Sequence, residues 1–151
     1  MMTAFHSLNV SASALTAQRV RMDVVSSNLA NMDTTRAKQV NGEWVPYRRK
    51  MVSLQSKGES FSSILNSQMS GSGSAGNGVK VSKITEDDSD FNLVYDPTDP
   101  DANAEGYVQK PNVDPLKEMV DLVSSTRSYE ANVTAMNATK GMLMKALEIG
   151  K

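Results

Sequence analysis

Apolar residues recur every seven positions near the start of the chain, and one more precedes this series by three residues. These residues are Phe5, Leu8, Leu15, Met22 and Leu29. A heptad repeat of this kind is typical of a helix that packs against another helix. The pattern therefore predicts an N-terminal helix over 3–32, with one side suited to a helical partner.

Polar residues that weaken helices are frequent within this first segment. They are Ser11, Ser13, Thr16, Ser26, Ser27, Asn28 and Asn31. Such side chains compete with the backbone for hydrogen bonds, so an isolated helix of this composition is marginal in water. We therefore expect the N-terminal helix to depend on a partner.

A longer heptad pattern occupies the end of the chain. Its apolar members are Met119, Leu122, Tyr129, Val133, Met136, Leu143 and Leu147, with interruptions at Thr126 and Lys140. Asp114 and Pro115 precede the pattern, and these residue types are favoured at the N-cap and the first helical position. The sequence therefore predicts a C-terminal helix from Asp114 to about Ile149.

The middle of the chain contains short strand-like patterns separated by turn residues. Asn41-Gly42 is a strong signal for a two-residue hairpin turn. Strands are predicted at 47–54, 79–85, 91–95 and 106–109, and a short helix or packed turn at 61–65. The segment 67–78 is mostly Gly and Ser, which predicts a flexible loop.

The chain is therefore expected to have three parts. They are an N-terminal helix at 1–33, a β-rich unit with a flexible loop at 34–112, and a C-terminal helix at 113–151. The predicted fold class is mainly α with a small β-rich middle. Pairing the terminal helices in a coiled-coil-like arrangement is the simplest way to bury both apolar stripes.

Composition limits the size of the hydrophobic core and the kinds of cross-link, metal site and membrane segment that the chain can form. Hydrophobic residues make up 39% of the 151 residues and aromatic residues 5%, so a large compact core is not expected. The chain has no cysteine, which excludes disulfides and cysteine-ligated metals. The N-terminal residues do not resemble a secretory signal peptide, and no run of about 18 apolar residues predicts a membrane-spanning helix.

Charges are unevenly distributed, although the formal net charge is only −1. The segment 36–57 contains six basic residues and one acid, Glu43, whereas 86–105 contains eight acids and no base. Segments of opposite charge attract each other. They can meet within one molecule or between neighbouring molecules, and the sequence leaves both arrangements open.

Candidate catalytic and ligand-binding residues are few. His6 is the only histidine, and its place in a marginal helix argues against a Ser-His-Asp site. Oxygen-bearing residues alternate at 99–105 as in a calcium loop, but Ala104 stands where that loop needs glycine. The Gly-rich segment lacks the Lys-Ser/Thr ending of a phosphate-binding loop. The basic residues at 48–50 lack the interleaved aromatic residues expected of a nucleic-acid-binding strand, apart from Tyr47. We therefore expect no catalytic residue, metal, cofactor, nucleic acid or small-molecule substrate.

Motifs at both ends resemble the signatures of one protein family. They are SSNLAN at 26–31 followed by Thr34 and Thr35, EMVD at 118–121, and RSYEAN at 127–132. These motifs resemble the terminal signatures of flagellar rod, hook and hook-associated proteins. The residues that carry the resemblance are Asn28, Leu29, Ala30, Asn31, Tyr129, Glu130, Ala131 and Asn132. Shorter matches resemble the proximal rod members, at 94–97, 99–102, 106–108, 111–114, 135–140 and 145–147.

The resemblance implies a structural role in the flagellar basal body. It implies that the paired terminal helices form the inner layer of a helical rod, with the β-rich middle outside. Such a proximal rod joins the MS-ring and export-apparatus side to the distal rod. The implied partners are copies of the chain, other rod proteins and the flagellar type III export apparatus, which exports the chain without a cleaved signal peptide. Neither a catalytic residue nor a cofactor is implied.

Two other functions are compatible with part of the pattern. A cytoplasmic helical adaptor or chaperone of flagellar export would use the same apolar stripes, but it does not account for the hairpin-rich middle. A small hydrolase would need an acid–base pair in a pocket, and the sequence offers no convincing pair.

Overall fold

The computed structural model describes residues 2–57, 65, 69 and 77–149. Within them, two long helices flank three antiparallel two-stranded sheets. The elements are α1 (Met2–Ala30), β1 (Lys38–Val40), β2 (Glu43–Val45), β3 (Lys50–Ser56), β4 (Val79–Glu86), β5 (Asn92–Tyr95), β6 (Tyr107–Lys110) and α2 (Pro115–Ile149). The predicted fold class is confirmed. The predictions for 61–65 and 67–78 fall largely outside the described residues.

α1 ends at Ala30, two residues earlier than predicted. Asn31 Nδ2 donates to the carbonyl of Ser27 at 2.8 Å, and Thr34 Oγ1 donates to Asn31 Oδ1 at 3.3 Å. The backbone N–H of Asn31 also donates to Ser27 O at 3.2 Å. These bonds satisfy groups at the helix end and turn the chain towards the first hairpin.

Hydroxyl and amide side chains in and just after the helices bond to their own helix. Each side chain donates a hydrogen bond to the backbone carbonyl three or four residues earlier, and the donor–acceptor distances are 2.7–3.1 Å. The residues are Ser13, Thr16, Asn31, Thr126, Asn132, Thr134 and Thr139. Side chains that weaken an isolated helix are thereby occupied and do not compete for its backbone amides.

α2 begins with the predicted cap. Asp114 Oδ1 accepts hydrogen bonds from the backbone N–H groups of Leu116 at 3.0 Å and Lys117 at 3.3 Å. Pro115 occupies the first helical position, where its missing N–H costs nothing. The cap and the proline therefore fix where the C-terminal helix starts.

The two helices pack against each other in antiparallel orientation. Asn28, near the end of α1, contacts Glu118, near the start of α2. Met22 lies earlier in α1 and contacts Thr126, which lies later in α2. The predicted pairing of the terminal helices is thus confirmed. With 35 residues against 29, α2 is about 9 Å longer than α1 and extends past it.

The first hairpin turns where the sequence predicts. Asn41 and Gly42 have φ angles of 54° and 92°, the positive values that two-residue hairpin turns require. β1 and β2 therefore pair closely, with Lys38 opposite Val45. β3 pairs with β4, and β5 pairs with β6.

β3 begins at Lys50, so the start of the strand predicted at 47–54 is wrong. The backbone N–H of Tyr47 donates to Thr34 O at 3.0 Å, and that of Arg49 donates to Asn112 Oδ1 at 2.8 Å. Because these donors are used by other parts of the fold, they cannot extend the ladder with β4. The other predicted strands agree with the structure within one residue at each end.

The hydrophobic core is small. Among the described residues, the buried hydrophobic side chains are Ala17, Val24, Val25, Tyr47, Val108 and Val113. This agrees with the low aromatic content of the sequence. Within the same residues, neither helix combines the length and hydropathy needed to span a membrane.

β4 approaches α1 closely at Gly78. The N–H of Val79 donates to Ser13 Oγ at 3.1 Å, and Ser13 Oγ donates to Val10 O at 2.7 Å. A Cβ atom at position 78 would lie 2.0 Å from Ser13 Oγ and 3.4 Å from Val10 Cα. The β3–β4 hairpin therefore rests on α1 because this position has no side chain.

We predict that Gly78→Ala lowers the free energy of unfolding by about 1–3 kcal/mol, because the methyl group forces Ser13 or the hairpin to move. Gly141→Ala is the matched control, since a Cβ there meets nothing within 4 Å. It should stabilise α2 by about 0.5–1 kcal/mol. Urea unfolding measures both, and equal stability of the two variants would contradict the close contact.

Candidate assembly interface

The side-chain amide of Asn28 joins α1 to α2 and to β3. Its Nδ2 donates to Lys50 O at 2.9 Å and to Glu118 Oε2 at 3.0 Å. Its Oδ1 accepts from the N–H of Lys50 at 2.9 Å and from the hydroxyl of Tyr47 at 3.0 Å. Asn28 is only 1% exposed, and these four bonds satisfy its amide completely.

Glu118 places a negative charge next to the Asn28 amide. It is fully buried, and its Oε1 accepts from Arg49 Nε at 2.6 Å. The Arg49 guanidinium also lies 3.6 Å from the carboxylate of Asp87 and 3.8 Å from that of Asp121. Burial opposes its charge, but the bond to Glu118 and the surrounding carboxylates outweigh burial and raise the pKa of Arg49.

We call the group formed by Asn28, Tyr47, Arg49, Lys50 and Glu118 the polar junction. It connects both helices and the start of β3. A buried carboxylate or amide that loses its partner is strongly destabilising, so each member depends on the others. The junction therefore fixes the orientation of the β-rich middle relative to the helix pair.

The basic and acidic segments meet within one molecule. Three ion pairs connect 36–57 to 86–105: Arg36–Asp101, Lys38–Glu86 and Arg49–Asp87. The structure thus answers the question that the sequence left open. Exposed pairs such as Lys38–Glu86 contribute little stability singly. Lys38–Glu86 and Arg36–Asp101 nevertheless connect the first hairpin to the other two.

Three carboxylates in the acidic segment have lowered pKa values: that of Asp96, for which the hydrogen bond from the Thr98 hydroxyl is the largest cause, and those of Asp101 and Asp87. The hydrogen bond from Arg36, followed by that from Thr35 Oγ1 at 2.7 Å, lowers the pKa of Asp101. The backbone N–H of Ser89, which donates to Asp87 Oδ1 at 3.0 Å, lowers the pKa of Asp87. The folded protein therefore favours the ionised form of all three groups.

Most residues of the predicted apolar stripes are half-buried along the helix pair. These are Leu8, Leu15, Met22, Leu29, Leu122, Tyr129, Val133, Met136 and Leu143. The others are more open: Phe5 is 61% exposed, Met119 49% and Leu147 67%. A single chain therefore leaves part of each stripe uncovered. That the stripes form a subunit interface stays a prediction.

Further apolar side chains are exposed on α2 outside these stripes. Leu116, Val120 and Val123 follow one another on one side of its first turns. Met142, Met144 and Ile149 are exposed at its other end. Contiguous exposed apolar surface typically marks a site where another protein binds.

The residues of the family-like motifs have different structural roles. Asn28 belongs to the polar junction, and Asn31 ends α1. Asn132 Nδ2 donates to Ser128 O in its own helix at 2.8 Å. The remaining motif residues are half-buried at Leu29 and Tyr129 and exposed at Ala30, Glu130 and Ala131.

The sequence does not reveal the polar junction as a group. Glu118 has the position of an acid that complements the helix dipole, and Arg49 lies in a run of three bases. A weak signal is that Asn28 and Glu118 both fall in family-like motifs. Their contact spans 90 residues of sequence, however, and no periodicity encodes it.

The segment that resembles a calcium loop uses its oxygen atoms in hydrogen bonds to the protein itself, including those that the Asp101 carboxylate accepts from Thr35 and Arg36. Asn103 Oδ1 accepts from the N–H groups of Glu105 and Tyr107, and Asp99 Oδ1 accepts from the N–H of Asp101. In the part of the chain that the structure describes, no three acidic or histidine side chains are grouped to hold a metal ion. The segment therefore acts as a set of turns.

We predict that Asn28→Asp lowers the free energy of unfolding by about 3 kcal/mol, because it removes two donors and places a second carboxylate beside Glu118. Asn137→Asp makes the same change at an exposed position of α2 and should alter stability by less than about 0.5 kcal/mol. Urea unfolding of the pair measures the difference. Similar values for both variants would rule out the proposed importance of the junction.

We also predict a loss of stability in acid. Asp87 and Asp101 have folded pKa values below the ordinary 3.8, so their contribution is present above that pH and disappears as pH falls through the folded values. Arg36→Gln removes the main cause of the shift at Asp101 and should move the acid unfolding midpoint to higher pH. Circular dichroism between about pH 6 and pH 2 tests this, and an unchanged midpoint would contradict it.

Two family models match the ends of the chain. The model described as "Flagella basal body rod protein" matches 8–38, and "Flagellar basal body rod FlgEFG protein C-terminal" matches 104–149. The first region contains most of α1, and the second contains α2. The two matched regions thus include both members of the helix pair.

Full-length relatives extend this result. A flagellar basal-body rod protein FlgC from Bacillus subtilis (strain 168) is 99% identical over 150 residues, which cover 99% of this chain and 100% of that protein. Proteins with the same name from Buchnera aphidicola and Escherichia coli O6:H1 are each 39% identical, with the same coverage. The resemblance in the sequence motifs is confirmed. The chain therefore belongs to the FlgC family of flagellar basal-body rod proteins.

Proposed function

We propose that the chain is a structural subunit of the proximal part of the bacterial flagellar rod and assembles helically through its terminal helices. The observation that carries this proposal is the uncovered apolar surface of the helix pair, in a member of a rod protein family. Burial of that surface against neighbouring subunits supplies the driving force for assembly.

The proposed mode of assembly is head-to-tail. The exposed residues at the start of α2, such as Leu116 and Val120, are far from those at its other end, such as Leu147. One subunit therefore offers neighbours two different surfaces. Contacts between unlike surfaces that do not close into a ring give an open helical array.

The polar junction supports this assembly from within. It holds the helix pair and the hairpins in a fixed relation, so every copy presents its surfaces with the same geometry. A repeated geometry is what a regular helical array requires. The fixed contacts stay inside the subunit, and the exposed part of the apolar stripes is left for contacts between subunits.

The proposed partners are copies of this chain, other rod proteins and the flagellar type III export apparatus. In this position the chain connects the MS-ring side of the basal body to the distal rod. Export as an unfolded chain, without a cleaved signal peptide, is supported by the small core, because little buried apolar surface has to be exposed. No residue has a catalytic role in this proposal.

The alternative of a cytoplasmic adaptor or chaperone for export has no support from the relatives, which are rod proteins by name. Cell fractionation separates the two functions. A rod subunit copurifies with basal bodies, whereas an adaptor remains in the cytoplasm.

We predict that Leu143→Asp prevents assembly. Leu143 is half-buried on the predicted stripe of α2, and a carboxylate there places an unpaired charge in the packed layer between helices. Cells that produce only this variant should lack motility in soft agar, and their basal-body fraction should lack the protein. The purified variant should keep the β-rich middle folded.

Asn137→Asp is the control for this experiment, because it adds the same charge at an exposed position of the same helix. It should preserve motility and copurification with basal bodies. Normal motility of the Leu143→Asp strain would argue against the stripe as an assembly surface.

A further inference from the structure

A groove lies between the first hairpin and the last one. It has a volume of about 440 Å³. Its lining includes Glu43 and Trp44 of the first hairpin and Leu93, Asp101, Tyr107 and Gln109 of the last one. The hydrogen bond from Thr35 Oγ1 to Asp101 Oδ2, at 2.7 Å, ties the two sides together. The groove is therefore a preformed feature of the fold.

The groove combines exposed apolar side chains with negative charge. Trp44 is 55% exposed, Leu93 65% and Tyr107 43%. Glu43 supplies a carboxylate, whereas the carboxylate of Asp101 is already paired with Arg36. Large aromatic side chains with a carboxylate beside them suit a partner that presents apolar residues and a lysine together.

The far end of α2 has that composition. Met144 and Leu147 are exposed, and they share one helix face with Lys140 at spacings of four and three residues. Helices bind grooves through apolar anchors at such spacings. Because α2 is the longer helix, its last residues extend past the partner helix, and Lys140, Met144 and Leu147 are all exposed.

The groove and this helix end cannot meet within one molecule. Thr35 follows α1 closely, and Asn28 of α1 bonds to Glu118, so the groove lies at the end of the helix pair where α2 starts. Along α2, Glu118 and Met144 are separated by roughly 39 Å. A contact between the two surfaces therefore requires two molecules.

We propose that the face formed by Lys140, Met144 and Leu147 of one subunit binds the groove between the β1–β2 and β5–β6 hairpins of a second copy of this chain. Met144 and Leu147 pack against Trp44, Leu93 and Tyr107. Lys140 lies close to Glu43. The proposal rests on the proposed function in rod assembly and assigns one pair of surfaces to it.

Cysteine cross-linking tests the contact directly, because the chain has no cysteine of its own. Gln109→Cys places a thiol in the groove, and Met144→Cys places one on the helix face. Mixing the two purified single variants under mild oxidation should give a disulfide-linked dimer of one chain of each kind. Ser82→Cys, at an exposed position of β4 outside the groove, should give much less product with Met144→Cys.

A charge exchange tests the pairing of Glu43 with Lys140. Glu43→Lys and Lys140→Glu should each lower the yield of the cross-linked dimer by about fivefold, because like charges face each other. Combining Glu43→Lys in the chain that carries the groove cysteine with Lys140→Glu in the other chain should restore the yield. Failure of this combination to restore the yield would overturn the pairing.

Basal bodies from cells that produce the Gln109→Cys, Met144→Cys double variant complete the test. Recovery of the double variant in basal bodies, with disulfide-linked dimers of the chain itself, supports the proposal. Recovery without such dimers, or with the groove cysteine linked to a different rod protein, overturns the proposal and leaves the proposed function intact. Absence of the unmodified chain from basal bodies would instead contradict the proposed function.

Discussion

The buried amide of Asn28 and its four hydrogen bonds set the relation between the two helices and the hairpins. Because the amide is shielded from water, a lost partner leaves an unsatisfied polar group with no solvent to replace it. Arg49 extends this cluster by holding the buried Glu118. The arrangement of the subunit therefore depends on a few polar contacts at one end of the helix pair, and a large hydrophobic core is not needed for it.

Because polar contacts hold the parts of the subunit together, apolar residues are left for contacts outside the subunit. Phe5, Met119 and Leu147 follow the helical periodicity, yet they stay largely exposed in the single chain. The ion pairs between the basic and acidic segments have the opposite character, since they are satisfied internally. In this chain, polar groups thus serve mainly the fold, while several apolar groups on the helices stay exposed.

The parts of the structure that depend on residues close together in the sequence were predictable from the sequence. Asn41 and Gly42 set their own turn, and Asp114 caps the helix that follows it. The strand predicted at 47–54 was wrong at its start, because partners from distant segments take up the backbone donors of Tyr47 and Arg49. The motif at 26–31 indicated a family but gave no structural role for Asn28. That role depends on residues that only the folded chain brings together.

The polar side chains that bond back to their own helix have a consequence for how neighbouring helices can move. Thr134 and Thr139 each donate to a carbonyl of α2, so their hydroxyl protons are already bonded within the helix. At these threonines a neighbouring helix meets a surface that offers mainly shape and dispersion, which vary gradually with position. In the proposed rod, small axial slips at such positions would break few directional bonds, so neighbouring subunits could shift slightly while each subunit keeps its shape.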